Sequence, residues 1–106
     1  MGLKTQLQRI RKDGLSVSQY LAQIKEVADK FSAIGELISY GDHIAHILDG
    51  LGSEYNAFVT SIQNQSDQPS LEDVRSLLLA YESRLEKQNL VNQLNVAQAN
   101  FANLSL

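Results

Sequence analysis

The chain has no cysteine, no tryptophan and a single proline in 106 residues. Without Cys, neither disulfides nor thiolate metal sites can form within it. One Pro and six Gly leave long stretches free of helix breakers. No run of about 18 apolar residues occurs, so nothing in the sequence reads as a membrane span. The N-terminus lacks the apolar run of a signal peptide, which makes the cytosol the default compartment. A phosphate cradle is missing too, since no glycine-rich loop precedes a Lys-Ser/Thr pair. Basic excess is also lacking, because the net charge is −3.

That charge is unevenly spread. Residues 1–34 carry six Lys/Arg against three Asp/Glu, and residues 35–106 carry three against nine. A nucleic-acid interface needs basic density on one face to release counterions from phosphates. Only Lys4, Arg9, Arg11 and Lys12 approach it, and a solvated helix face is the simpler reading of them. The expectation is therefore no strong, sequence-specific RNA binding by these residues.

What the chain does contain is a series of helix signals with caps between them. Leu3, Leu7 and Ile10 lie on one stripe of a short first helix that Asp13-Gly14 ends. Ser16-x-x-Gln19 has the capping-box pattern, in which the hydroxyl accepts from an early N–H and Gln19 reaches back. Leu21, Ile24, Ala28 and Phe31 follow at helical spacing, flanked by Tyr20 and Val27, and Gly35 is placed to end the helix in the left-handed conformation. Ser39 opens a third helix with the stripe Ile44, Ile47, Leu48 and Leu51. Ser53 is placed to cap a fourth, with Tyr55, Phe58, Val59 and Ile62 inward. After a polar loop from Asn64 to Pro69, Ser70-Leu71-Glu72-Asp73 starts a fifth, lined by Leu71, Val74, Leu77 or Leu78, Tyr81 and Leu85. No segment alternates as a strand would. The reading is an all-α bundle of about five helices, with Leu21, Ile24, Phe31, Ile44, Leu48, Phe58, Ile62, Val74, Leu78 and Tyr81 in its core.

Beyond Leu85 the register breaks, because Gln88 and Asn92 occupy the next apolar slots. A second stripe then appears, Leu90, Leu94, Ala97, Phe101 and Leu104, with heptad-like spacing over about two heptads. Five asparagines weaken helix propensity there. The tail reads either as a frayed end or as a helical extension that pairs with another chain.

Catalytic chemistry needs convergent polar groups, and the sequence does not assemble them. His43 and His46 sit i, i+3 on one helix, but no third metal ligand is specified, and two surface histidines are the simpler reading. The serines mostly sit at helix starts, where capping accounts for them. Glu82 and Glu86 read as solvated acids. No enzyme, metal or cofactor is expected.

Four stretches in order resemble the Gag polyprotein of plant copia-type LTR retrotransposons. They are Arg11-Lys12-Asp13-Gly14-Leu15-Ser16-Val17-Ser18-Gln19-Tyr20-Leu21, Lys25 to Gly35, Ile47-Leu48-Asp49-Gly50-Leu51-Gly52-Ser53-Glu54-Tyr55, and Leu71-Glu72-Asp73 through Leu78-Leu79 to Tyr81-Glu82-Ser83-Arg84-Leu85. The resemblance they mark extends over residues 3–87, and the tail after Gln88 is not placed by it.

The resemblance implies the C-terminal lobe of a retroelement capsid. Residues 1–15 would be the end of a preceding helix or linker. Residues 16–88 would be the four-helix lobe, with helices over 16–34, 40–50, 54–64 and 71–87, and residues 89–106 an Asn-rich tail. About half a capsid protein would then be present, without the family's Cys-dependent zinc knuckle. It further implies a structural turn at Gly14, Ser16, Val17 and Tyr20, where Tyr20 buries its ring and its hydroxyl finds a polar partner.

The function so implied is self-association into cytoplasmic virus-like particles, with the chain's own copies as partners. RNA would be bound only weakly or through other Gag regions, and no membrane is involved. A domesticated adaptor or an RNA-binding module on the same fold is the alternative. In related lobes the second helix pairs across a two-fold axis, which makes Tyr40, His43, His46 and Ile47 the candidate homodimer contacts. Protonating the two histidines near pH 5–6 would then weaken the pairing. The tail residues Leu90, Leu94 and Phe101 are the competing interface.

Overall fold

The computed structural model describes the backbone of residues 2–104 and the side chains of residues 5–99. Among them are five α-helices and no strand: α1 (Gly2–Arg9), α2 (Val17–Ala33), α3 (Tyr40–Asp49), α4 (Asn56–Gln63) and α5 (Leu71–Leu104). The all-α expectation is met.

Local chemistry sets most of the boundaries. Ser16 is the N-cap of α2 in a full capping box: its Oγ accepts from Gln19 N–H at 3.2 Å, and Gln19 Oε1 accepts from Ser16 N–H at 3.0 Å. At the far end Gly35 takes φ 82°. There Glu36 N–H reaches Phe31 O at 2.9 Å and Gly35 N–H reaches Ser32 O at 3.0 Å, the paired bonds of a Schellman ending. Ser39 and Ser70 cap α3 and α5, their hydroxyls accepting from Asp42 and Asp73 N–H at 3.1 and 3.0 Å.

Two local readings need correction, at Ser53 and in the stripe of α2. Ser53 makes no capping bond. It begins a single 3₁₀ turn, Ser53–Tyr55, entered through Gly52 at φ 94°, and α4 proper starts at Asn56. In the Asp13-Gly14 turn the left-handed residue is Asp13, at φ 43°. Asp tolerates that region better than most residues with a Cβ, because its short polar side chain can bond locally. In α2 it is Val27 that is buried, while Ala28 is only partly covered.

The core is shared by all five helices. Of the ten residues expected there, nine are buried, and Tyr81 is half-buried against the cluster. Tyr81 packs its ring on Tyr55 and Phe58, with centroids 5.4 and 5.5 Å away in tilted geometry. Leu7 of α1 joins the same core. Between Leu77 and Leu78 the choice falls on Leu78, which is fully buried, whereas Leu77 is exposed.

α5 does not stop where its apolar register breaks. It continues to Leu104 as one 34-residue helix, roughly 50 Å long at 1.5 Å per residue. Its first four turns cover the bundle. From Glu86 to Ala99 every side chain is exposed, so the second half projects beyond the body. The radius of gyration of 18.0 Å reflects this, against about 13 Å for a compact chain of this length. No helix among the described residues is long and apolar enough to cross a membrane.

Candidate self-association surfaces

The turn before α2 ties three helices together. Val17 N–H, at the first position of α2, donates to Glu82 Oε2 of α5 at 2.8 Å. A carboxylate at a helix N-terminus satisfies an orphan N–H and sits favourably in the helix dipole. Glu82 is thus a clamp, not the solvated acid read from the sequence. Glu82→Ala is expected to lower stability by about 1.5–3 kcal/mol, the range for a hydrogen bond to a charged group, and Glu82→Gln by less because an amide oxygen still accepts. Urea unfolding midpoints of the two variants check this.

Tyr20 is the second tie. It is fully buried, and its hydroxyl donates toward two carbonyls of α3, Ile47 O at 2.8 Å and His46 O at 3.1 Å. These lie among the last four carbonyls of α3, which have no partner within their own helix. Tyr20 therefore acts as a C-cap delivered by a neighbouring helix. Burial pushes its phenol well above the ordinary tyrosine range, so it stays protonated and remains a donor.

The strap from Ile10 to Ser16 closes on the same point. Lys12 N–H donates to Gly50 O at 2.8 Å. A Cβ on Gly50 would meet the Tyr20 hydroxyl and come within 2.7 Å of Ile10 O. Gly50 is where strap, α2 and α3 approach most closely. Of the four turn residues expected, Ser16, Val17 and Tyr20 hold the junction, while Gly14 has open space around it and no left-handed backbone.

Of the basic cluster, Arg9, Arg11 and Lys12 border one shallow cleft, and two of them are engaged within the chain. Lys12 is almost wholly covered, and its ammonium lies 5.2 Å from the centre of the Tyr55 ring in a cation–π contact. This corrects its placement on a solvated face. Arg11 is exposed, but its guanidinium donates to Gln8 O and Ile10 O at 2.7 and 3.0 Å. Arg9 is exposed at the end of α1. The side chain of Lys4 lies outside the described residues.

On α3 the four candidate contacts separate. Tyr40 is 75% exposed. His43 and His46 are half-buried. Ile47 is 0% exposed and faces the core, so it is corrected from interface to interior. It shares the helix face of Ile44 and Leu48, which the bundle buries together with Leu51 just past the helix end.

Two residues that the periodicity did not flag join Tyr40 on the outside. Ile34 and Leu37, in the α2–α3 connection, are 65% and 84% exposed. Their signal is weak: both are apolar residues outside any helical stripe, in a segment otherwise read only for its caps.

His43 has a buried Nε2 without a hydrogen-bond partner, as does Arg75 at Nε on α5. Burial first, then Arg75 and His46, holds the His43 imidazole below its ordinary 6.5. The folded state thus disfavours the proton that the unfolded chain accepts. As pH falls from about 6.5 toward the lowered folded value, the unfolded state binds more protons and stability declines. Above that window His43 contributes no slope. Urea midpoints at pH 7.5 and pH 5 are expected to converge in His43→Gln relative to the unsubstituted chain. No group of three or more His, Asp or Glu gathers as a metal site among the described residues.

By its fold the chain is a small all-α domain with a projecting C-terminal helix, in which Tyr20 and Glu82 cap the ends of neighbouring helices. The family model for the gag-polypeptide of LTR copia-type elements matches residues 2–91, and the chain belongs to that family. It is 23% identical over 83 residues to the retrovirus-related Pol polyprotein from transposon RE1 of Arabidopsis thaliana. That match covers 78% of this chain and 6% of the polyprotein. No solved structure matches the chain significantly.

Proposed function

We propose that this Gag domain is a structural lobe that associates with copies of itself, as a building block of a cytoplasmic virus-like particle. The observation that carries the reading is the exposure of three apolar residues close in sequence, Ile34 and Leu37 in the α2–α3 connection and Tyr40 at the start of α3. Rings and branched chains on the outside of a small acidic domain are what interfaces favour over flexible charges. The edge of α3 presents Tyr40 together with the half-buried His43 and His46. A two-fold contact there places each residue near its own copy.

An RNA-binding role draws less support. Lys12 is engaged with Tyr55, and the guanidinium of Arg11 is held by the chain's own carbonyls. The acidic balance opposes phosphate as well.

Light scattering after size exclusion, over a range of protein concentrations, tests the reading. The unsubstituted chain should form dimers or larger species, and Tyr40→Ala should shift the distribution toward monomer while its melting temperature stays within a few degrees. A monomer at every concentration would overturn self-association. RNA affinity at two salt concentrations supplies the competing arm, and tight binding near physiological salt would favour the RNA reading.

A further inference from the structure

We infer that the projecting half of α5 is a second self-contact, a helical seam that pairs with the same helix of another copy; this rests on the self-association reading above. The first ground is position. From Glu86 to Ala99 no side chain is covered by the bundle, and Leu90, Val91, Leu94 and Val96 are all more than half exposed. The bundle core is complete without them.

The second ground is period. Leu90, Leu94 and Ala97, continued in the sequence by Phe101 and Leu104, are spaced 4-3-4-3. That is the 3.5-residue repeat of a helix seated against another helix, not the broader stripe that packs on a globular body. The side chains of Phe101 and Leu104 lie outside the described residues and enter only through their place in the sequence.

The third ground is charge, and it selects the occupant. From Gln88 to Leu106 there is no Asp, Glu, Lys or Arg. A charged partner helix or a polyanion finds nothing to complement. A second copy brings no like charge to oppose the first, and the Asn and Gln side chains beside the seam can both donate and accept across it.

The seam lies away from Tyr40, on a different element, so one copy can engage two others. Two separate two-fold contacts on one chain carry assembly past the dimer, into a closed dihedral ring or an open array according to how the two axes are related, whereas either contact alone closes at a dimer.

The test is sedimentation equilibrium of the full chain beside Leu90→Gln/Leu94→Gln and, as control, Val96→Gln. Gln is a good helix former, so the substitutions leave the helix intact, which far-UV circular dichroism verifies. Val96 is exposed but falls off the seam. Leu90→Gln/Leu94→Gln should stop assembly at the dimer and weaken the α5 contact by about tenfold or more. Val96→Gln should assemble like the unsubstituted chain. If the full chain is monomeric throughout, the self-association reading fails and the seam with it. If it assembles and the double variant assembles equally, self-association stands and the seam is wrong. Leu90→Cys or Ala97→Cys, each alone in this cysteine-free chain, gives an independent reading. Oxidative cross-linking between copies supports the seam, and failure of both positions to cross-link counts against it.

Discussion

Tyr20→Ala is expected to destabilise the domain by about 3–5 kcal/mol, the range for removing a buried aromatic ring. The estimate follows from two separable contributions. The ring is fully buried among Val17, Ile24 and the rest of the core cluster, so its removal opens a cavity. The hydroxyl caps the end of α3 at the Ile47 and His46 carbonyls. Tyr20→Phe isolates the second part and should cost about 1–3 kcal/mol, the penalty for leaving buried acceptors unmade. Gly50 supplies a cross-check, because a methyl placed there collides with the same hydroxyl. Gly50→Ala should be destabilising by about 1–3 kcal/mol as an overpacking change. Part of that loss should be relieved in the Tyr20→Phe background, since one of its two collisions is then removed. Additive losses in the urea midpoints of the two single variants and the double variant would refute the joint. For a domain totalling about 5–15 kcal/mol of stability, Tyr20→Ala approaches unfolding at physiological temperature.

Features governed by neighbours in sequence were legible in advance. The capping box of Ser16 and Gln19, the caps Ser39 and Ser70, and the left-handed Gly35 each depend on residues within four positions. Nine core residues followed from the 3.6-residue period. What escaped involves partners far along the chain. Glu82 reaches Val17 across 65 positions, and no local pattern separates it from an ordinary solvated acid. Lys12 is drawn inward by the Tyr55 ring and by the bond from its N–H to Gly50.

The continuation of α5 was only half legible. Asn is a poor helix former, but extending an existing helix avoids the cost of nucleation and adds a backbone bond with each residue. The penalties at scattered asparagines are of a few tenths of a kcal/mol each, too small to stop a helix already begun at Ser70. At Ile34 and Leu37 the difficulty was different. Apolar residues in a connection are ordinarily no signal, and only their exposure makes them one.

Ile47→Ala should behave unlike Tyr40→Ala, although the two residues are two turns apart on α3. Ile47 is completely covered, and its truncation leaves a cavity beneath the point where Tyr20 caps the helix. A loss of about 2–5 kcal/mol is expected, with the larger values if the neighbouring carbonyl shifts away from the Tyr20 hydroxyl. Tyr40 is largely exposed, and a surface residue of this kind alters stability by about half a kcal/mol or less. Its effect should appear in association instead. A conservative Ile47→Val should lose only about 0.5–1.5 kcal/mol and assemble as the unsubstituted chain does. The measurement is thermal melting and sedimentation on the same samples, under conditions where each variant is folded. If folded Ile47→Val assembled poorly while keeping its melting temperature, Ile47 would belong to the contact after all, and α3 would have to rotate or open to expose it. If Tyr40→Ala lost several kcal/mol, the start of α3 would be part of the fold, and the exposed group with Ile34 and Leu37 would no longer mark an interface.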